Sequence, residues 1–306
     1  MATYGGAVTA LLQLIPVFAG VAAGHLLVRT GAATREQGRF VFVFAFYVCA
    51  PALVFQAFAE TELTRDLITL PLAAFLAVVG GYGAGVAVSR RLDLPPPRLA
   101  VFLMACMIVN TAFVLPFVEV TFGHAGVARL MAFDAVNAAL IFSWGYAIAV
   151  NANPEPQRRG GTWRKLAASP PLYGVAAGLA VNVTGVEVAD VVAQLVDAFA
   201  RPTAFLVTIG IGMLLVIERS ELRVGLWAVA TRLCTGLAVA VIIVTVFGLT
   251  GVERAVLLTL AVAPVGFNTI TFASLENLDL RLATGTASLS LAVSLVLVPL
   301  VLLFVA

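Results

Sequence analysis

The sequence predicts an all-α polytopic membrane protein whose ten transmembrane helices form two inverted five-helix repeats. Of its 306 residues, 61% are hydrophobic and 11% are charged, and the mean hydropathy is +1.06. Apolar runs of about 20 residues, the length a helix needs to cross a bilayer, recur along the chain. The longest polar connection, residues 151–169, leaves five runs on each side. Two units with an odd number of spans must enter the membrane from opposite faces, as in an inverted repeat.

Hydropathy sets the bounds of the spans and of the two repeats. The first repeat occupies residues 1–150, a linker occupies residues 151–169, and the second repeat occupies residues 170–306. Span 1 is interpreted as a membrane helix and not as a secretory signal, because residues 1–11 contain no Lys or Arg. The predicted spans are 6–28, 38–59, 67–88, 99–121, 127–150, 170–186, 190–217, 224–249, 255–275 and 282–305.

Basic residues are distributed unequally between the connections. The connections after spans 1, 3, 5, 7 and 9 hold 13 of the 18 Lys and Arg residues, and the connections after spans 2, 4, 6 and 8 hold three. Cytoplasmic loops of membrane proteins are enriched in basic residues. The sequence therefore predicts an integral protein of the inner (cell) membrane, with the 151–169 linker in the cytoplasm and both termini on the non-cytoplasmic side.

Spans 4 and 9, the fourth span of each repeat, both contain proline near an Asn-Thr pair. Proline removes a backbone donor and disrupts a helix, and in transporters such breaks commonly lie at a substrate site. If the broken helices cross, their N-terminal ends present free amides and positive partial charge, which suit a carboxylate. The alternative is that each proline only kinks its helix. The candidate substrate-binding residues are Asn110, Thr111, Pro116, Pro264, Asn268 and Thr269.

Ionisable residues inside apolar spans cost free energy and so indicate a role. Asp134 and Asn137 lie three residues apart in span 5, on one helix face. They are candidates for lining a cavity or coupling transport to a proton or another cation, and a purely structural carboxylate is the alternative. Arg232 lies deep in span 8, where it either attracts an anion or extends toward the cytoplasmic face. Asp197 and Arg201 are one turn apart in span 7 and are expected to form an ion pair.

The sequence lacks the features that are typical of several other functional classes. The composition argues against a soluble enzyme, and a net charge of +2 without a long basic run argues against nucleic-acid binding. The sequence contains no zinc-protease motif, nucleophile elbow or Walker loop, so we expect no catalytic residues, no cofactor and no primary pump. Its two histidines are scattered, and no metal site is predicted. The three cysteines, Cys49, Cys106 and Cys234, are expected to pack in the core.

The order and spacing of short apolar motifs are similar to those of the auxin efflux carrier family of membrane transporters. The resemblance extends over nearly the whole chain. One departure is Ala112 and Leu115, since family members often carry glycines beside the asparagine of span 4. The matching residues are Pro16, Gly20, Gly24, Gly31 and the stretch YVCAPALVF at 47–55 in the first half, and Ser169-Pro170-Pro171, Arg201-Pro202, Gly210-Ile211-Gly212 and Ala263-Pro264 in the second.

The resemblance implies a ten-helix, two-repeat fold shared with the pin-formed plant auxin carriers and the bile acid:sodium symporters. It implies that spans 4 and 9 cross, with the crossover asparagines at Asn110 and Asn268. Spans 1, 2, 6 and 7 would form a scaffold, and spans 3–5 and 8–10 a moving transport domain. The short linker fits a compact, prokaryotic-type member.

The expected function is secondary active transport, with export as the expected direction, of an organic carboxylate such as indole acetate, malate or malonate by alternating access. The expected coupling ion is a proton or none, and sodium is less favoured because the crossover offers few carboxylates. One alternative is a sodium-coupled symporter of a bile-acid-like anion. An intramembrane enzyme or a non-transporting receptor is the alternative of another class. Membrane lipid is an expected partner, nucleic acid is not, and a homodimer remains open.

Overall fold

The computed structural model describes residues 2–60, 66–153, 170–215 and 221–305. Residues 154–169, most of the predicted linker, lie outside the described part. Apart from one isolated β-bridge, the regular elements in these ranges are helical, which confirms the predicted all-α class. The helices are α1 (Ala2–Arg29), α2 (Arg35–Glu60), α3 (Asp66–Ser89), α4 (Pro96–Met107), α5 (Thr111–Asn151), α6 (Pro170–Thr184), α7 (Asp190–Ala200), α8 (Thr203–Leu214), α9 (Leu222–Phe247), α10 (Gly251–Ala261), α11 (Asn268–Leu275) and α12 (Leu280–Val305).

Six stretches of the described chain are long and apolar enough to cross a membrane. Helices α2, α5, α9 and α12 provide four of them, and residues Ile68–Ser89 and Asp190–Leu214 provide the others. Large apolar side chains cover the outside of the molecule: Val191 is 78% exposed and Phe304 is 87% exposed. So extensive an apolar surface is stable in lipid and not in water. The chain is therefore an integral membrane protein.

Helix α5 is sharply bent at Gly123, between the predicted spans 4 and 5. Gly123 has φ 57° and ψ −149°, a conformation that only glycine adopts without strain. The bend divides α5 into residues 111–122, here α5a, and residues 124–151, here α5b. A single glycine thus replaces the loop of five residues that hydropathy places at 122–126, and this turn reverses the chain.

Helices α1 and α8 approach each other closely through glycine. A Cβ atom on Gly24 would lie 2.1 Å from the carbonyl oxygen of Ile209, and one on Gly212 would lie 2.0 Å from that of Val21. Side-chain carbons cannot come so near to a carbonyl oxygen, so both positions require glycine. Small residues at helix contacts are the usual means by which membrane helices pack backbone to backbone.

The helices pack in two groups. In the first group, α1 packs along α8, and α2 packs against α6, α7 and α8. In the second group, α3 packs against α4, α5 and α9, while α9 also contacts α10 and α12. Helix α5 contacts α1, α2 and α8 and thereby joins the groups. The first group holds predicted spans 1, 2, 6 and 7, and the second holds the other six.

Two sequence expectations about single residues have opposite outcomes. The ion pair in span 7 is confirmed, with a guanidinium nitrogen of Arg201 2.6 Å from a carboxylate oxygen of Asp197. The expectation that all three cysteines pack in the core is wrong for one of them. Cys49 and Cys106 are buried, but Cys234 is exposed. Helix α9 turns this residue outward, and an apolar side chain is equally stable facing lipid.

Candidate functional site

The non-helical segments of spans 4 and 9 lie side by side and are joined by backbone hydrogen bonds, and this paired region is called the crossing below. The Asn110 N–H donates to the Pro264 carbonyl at 3.0 Å, and the Gly266 N–H donates to the Ile108 carbonyl at 3.1 Å. These bonds flank an antiparallel bridge between Val109 and Val265. The non-helical residues 108–110 and 262–267 thus provide hydrogen-bond partners for some of each other's backbone N–H and C=O groups. In a membrane this pairing is what makes such a break tolerable.

Side chains from neighbouring helices bind other backbone groups of the crossing. The Val265 N–H donates to the Ser290 hydroxyl oxygen at 2.8 Å, and the Ser294 hydroxyl donates to the Val262 carbonyl at 2.8 Å. Both serines lie on α12 and are almost completely buried. The sequence alone does not indicate either serine. Their spacing of one helical turn places them on one face of the last span, but serine in an apolar helix is too common to indicate a site by itself.

The oxygen and the nitrogen of the Asn110 side chain have different surroundings at the start of α5a. Its side-chain oxygen accepts a hydrogen bond from the Phe113 N–H at 3.1 Å, which caps the helix. Its side-chain nitrogen Nδ2 is buried and makes no hydrogen bond with a described residue. A buried amide donor without a partner is costly. The Asn110 Nδ2 group is therefore a strong candidate to bind a ligand oxygen.

The second helix restarts at Asn268 on the other side of the crossing. No side chain in the described part of the chain caps α11 there. The Asn268 side chain is partly exposed, and the buried Thr269 hydroxyl makes no hydrogen bond with a described residue. Helices α5a and α11 both begin at the crossing, so their N-terminal ends supply backbone amides and positive partial charge. This combination suits an anion.

The Asp134 carboxylate on α5b is hydrogen-bonded to the start of α5a. Its Oδ1 atom accepts from the Thr111 hydroxyl at 2.7 Å and from the Asn137 amide at 3.0 Å. The Asn137 amide also donates to the Val109 carbonyl at 3.2 Å. Within the described ranges, no Lys or Arg forms an ion pair with Asp134. The Asp134 carboxylate is thus bonded to the crossing, and no described Lys or Arg neutralises its charge.

Arg232 lies at the other half-helix of the crossing and does not extend outward. It is 3% exposed, and its Nη2 atom donates to the Leu260 carbonyl at 3.2 Å, at the end of α10. Its Nε atom has no hydrogen-bond partner among the described residues. The expectation that this side chain reaches the cytoplasmic face is not met, because the C-terminal carbonyls of α10 provide the nearer negative partial charge.

The position of Pro116 differs from the expectation. The break in span 4 lies at residues 108–110, and α5a runs from Thr111 through Pro116, which is buried inside the helix. Pro264, by contrast, lies in the unwound segment. Thus the asparagine, not the proline, marks the break in span 4. Of the sequence candidates, the hydrogen bonds bring together Asn110, Thr111, Asp134, Asn137 and Pro264.

Comparison with known proteins supports a specific family. The model of the family described as membrane transport protein matches residues 9–302. A comparison with curated proteins finds no match. The family match covers both groups of helices and the whole of the crossing. On this evidence the chain belongs to the membrane transport protein family, that of the auxin efflux carriers.

Proposed function

We propose that this protein is a secondary active transporter that exports organic carboxylate anions, of the indole acetate, malate or malonate class, by alternating access. The observation that supports this most strongly is the crossing itself. Two helix N-termini meet there beside a buried amide donor, Asn110 Nδ2, that no described residue binds. Membership of a transporter family fixes the general activity, and the chemistry of the crossing favours an anionic substrate.

The proposed site binds a carboxylate with neutral donors. Asn110 Nδ2, the Thr269 hydroxyl and the partly exposed Asn268 amide contribute side-chain hydrogen bonds, and the first amides of α5a and α11 contribute backbone charge. Neutral donors leave the charge of the anion uncompensated. Its movement then responds to the membrane potential by about 2.3 kcal/mol per charge per 100 mV. That energy is sufficient to drive export without a second ion.

A proton is the coupling ion that the structure favours, if one is used. Asp134 is partly exposed and bonded to Thr111 at the start of α5a, so its protonation would alter the site directly. Sodium would need several oxygen ligands at the crossing. The crossover carbonyls of Ile108, Val109 and Pro264 each already accept one protein hydrogen bond, which leaves one lone pair on each oxygen. Sodium coupling, as in the bile-acid-like alternative, is therefore the less favoured case.

The proposed architecture is ten spans in two inverted repeats, with both termini on the non-cytoplasmic side. The support is that breaks occur in the fourth predicted span of each half, at residues 108–110 and 262–267. We further propose that the first group of helices is a scaffold and that the second group, which contains the crossing, moves against it. The contacts of α5 with α1, α2 and α8, together with the contact of α12 with α1, form the surface across which that motion occurs.

The test is charge movement in proteoliposomes that contain the purified protein. Indole acetate, malate, malonate and a bile acid are added separately, with sodium and pH varied independently. We expect a saturable current with one of the first three carboxylates that does not depend on sodium. A current that requires sodium would instead support the bile-acid-like alternative, and silence with all four anions would refute the proposed substrate class.

A further inference from the structure

A cavity of about 250 Å³ lies between the end of α3 and the start of α9, away from the crossing. Two arginines and a tryptophan line it, and all three residues are exposed. The remaining lining is apolar. The lining residues are Ala87, Val88, Arg91, Leu92, Arg223 and Trp227.

The two arginines of this cavity are available to bind an anion. Neither Arg91 nor Arg223 forms an ion pair with a described residue. The acid nearest to Arg223 along the chain, Glu221, is held by Arg98 at 2.6 Å, and Arg98 also binds Asp279 at 2.7 Å. Arg98 therefore binds both acids, and neither Glu221 nor Asp279 forms an ion pair with Arg91 or Arg223.

The cavity lies where a lipid headgroup would meet the protein. Both arginines belong to the connections, after spans 3 and 7, that basic-residue counts place on the cytoplasmic side. Trp227 is 47% exposed, and tryptophan favours the interface between lipid tails and water. The neighbouring Leu226 and Leu222 on α9 continue the exposed apolar surface. Basic pockets between helices at this level bind anionic lipid headgroups.

We propose that this cavity binds the phosphate headgroup of an anionic membrane lipid. The planar guanidinium groups of Arg91 and Arg223 bind phosphate oxygens, each with two N–H donors where geometry permits. The acyl chains lie along the exposed apolar surface of α9. Since α3 and α9 both belong to the helix group that contains the crossing, the lipid binds to the group that is proposed to move.

The experiment is native mass spectrometry of the detergent-purified protein, titrated with phosphatidylglycerol or with phosphatidylcholine. The double variant Arg91→Gln with Arg223→Gln is compared with the wild type. The matched control is Arg35→Gln with Arg39→Gln, which removes two exposed arginines of α2 that do not line the cavity. We expect the cavity variant to bind phosphatidylglycerol about 30-fold more weakly and the control to bind it like the wild type.

Three results would overturn the proposal. They are equal binding of the two lipids by the wild type, an equal loss in the control variant, and unchanged binding in the cavity variant. Inorganic phosphate is added as a competitor: displacement of the lipid at low millimolar phosphate would show a site for the free anion. If the double variant does not fold, the single variants are titrated instead. The readout requires no transport substrate, so its failure leaves the proposed transport function untouched.

Discussion

The substitution Ser290→Ala tests whether α12 stabilises the crossing. In the structure the Val265 N–H donates to the Ser290 hydroxyl oxygen at 2.8 Å, and Ser290 is 2% exposed. Alanine leaves the buried N–H without an acceptor, which costs about 1–3 kcal/mol. If that cost lowers the free energy of local opening, amide exchange at the crossing accelerates about 5- to 160-fold.

Hydrogen–deuterium exchange of the segment 262–267 measures this effect. Ser294→Ala is the matched control, because Ser294 lies one turn further along the same helix and donates to the Val262 carbonyl instead. It leaves the Val265 N–H bonded, so exchange in the segment should rise less. Equal exchange rates in Ser290→Ala and the wild type, or a larger rise in the control, would refute the role assigned to Ser290.

Three further predictions concern the packing, the bend and the carboxylate. Gly212→Ala places a Cβ atom 2.0 Å from the Val21 carbonyl oxygen and should destabilise the protein by about 1–3 kcal/mol. Gly83→Ala, inside helix α3, enters open space and should be neutral or stabilising by up to about 1 kcal/mol. Equal thermal unfolding of the two variants would contradict the close packing of α1 and α8. Gly123→Ala forces a residue with a side chain into the conformation at φ 57° and should lower the free energy of unfolding by about 1–3 kcal/mol. Thermal unfolding measures this change, and an unshifted unfolding transition would argue against the bend. In Asp134→Asn, the amide oxygen still accepts hydrogen bonds from Thr111 and Asn137, but the side chain can no longer be protonated. The transport current of this variant should therefore persist and lose its dependence on pH. A variant with the pH profile of the wild type would exclude Asp134 as the coupling residue.

The sequence could predict the two breaks because their signals are local. Asparagine and proline stand out in apolar runs, and the breaks lie at Asn110 and around Pro264. The Asp197–Arg201 pair is predictable for the same reason, since helix spacing alone brings the residues together. Pro116 was misleading because this helix begins at Thr111 and continues through the proline, which only the structure shows.

Other features depend on contacts between distant segments. The end of α10 binds Arg232, and α12 supplies Ser290 to the crossing. Nothing in the local sequence of spans 8 or 10 indicates those partners. The lipid cavity similarly requires the end of α3 to meet the start of α9. A hydropathy pattern locates helices along the chain but carries no information about which helix faces meet.

The most direct test of the central claim is the transport current of Asn110→Asp in proteoliposomes with indole acetate, malate and malonate. Aspartate retains an oxygen that can cap the Phe113 N–H, so the protein should fold. It replaces the Nδ2 donor with negative charge, which repels a carboxylate. We predict that this variant gives no current, whereas Asn110→Ser, which also caps the helix, retains a measurable one. A wild-type current in a folded Asn110→Asp variant would contradict the assignment of the crossing as the anion-binding site.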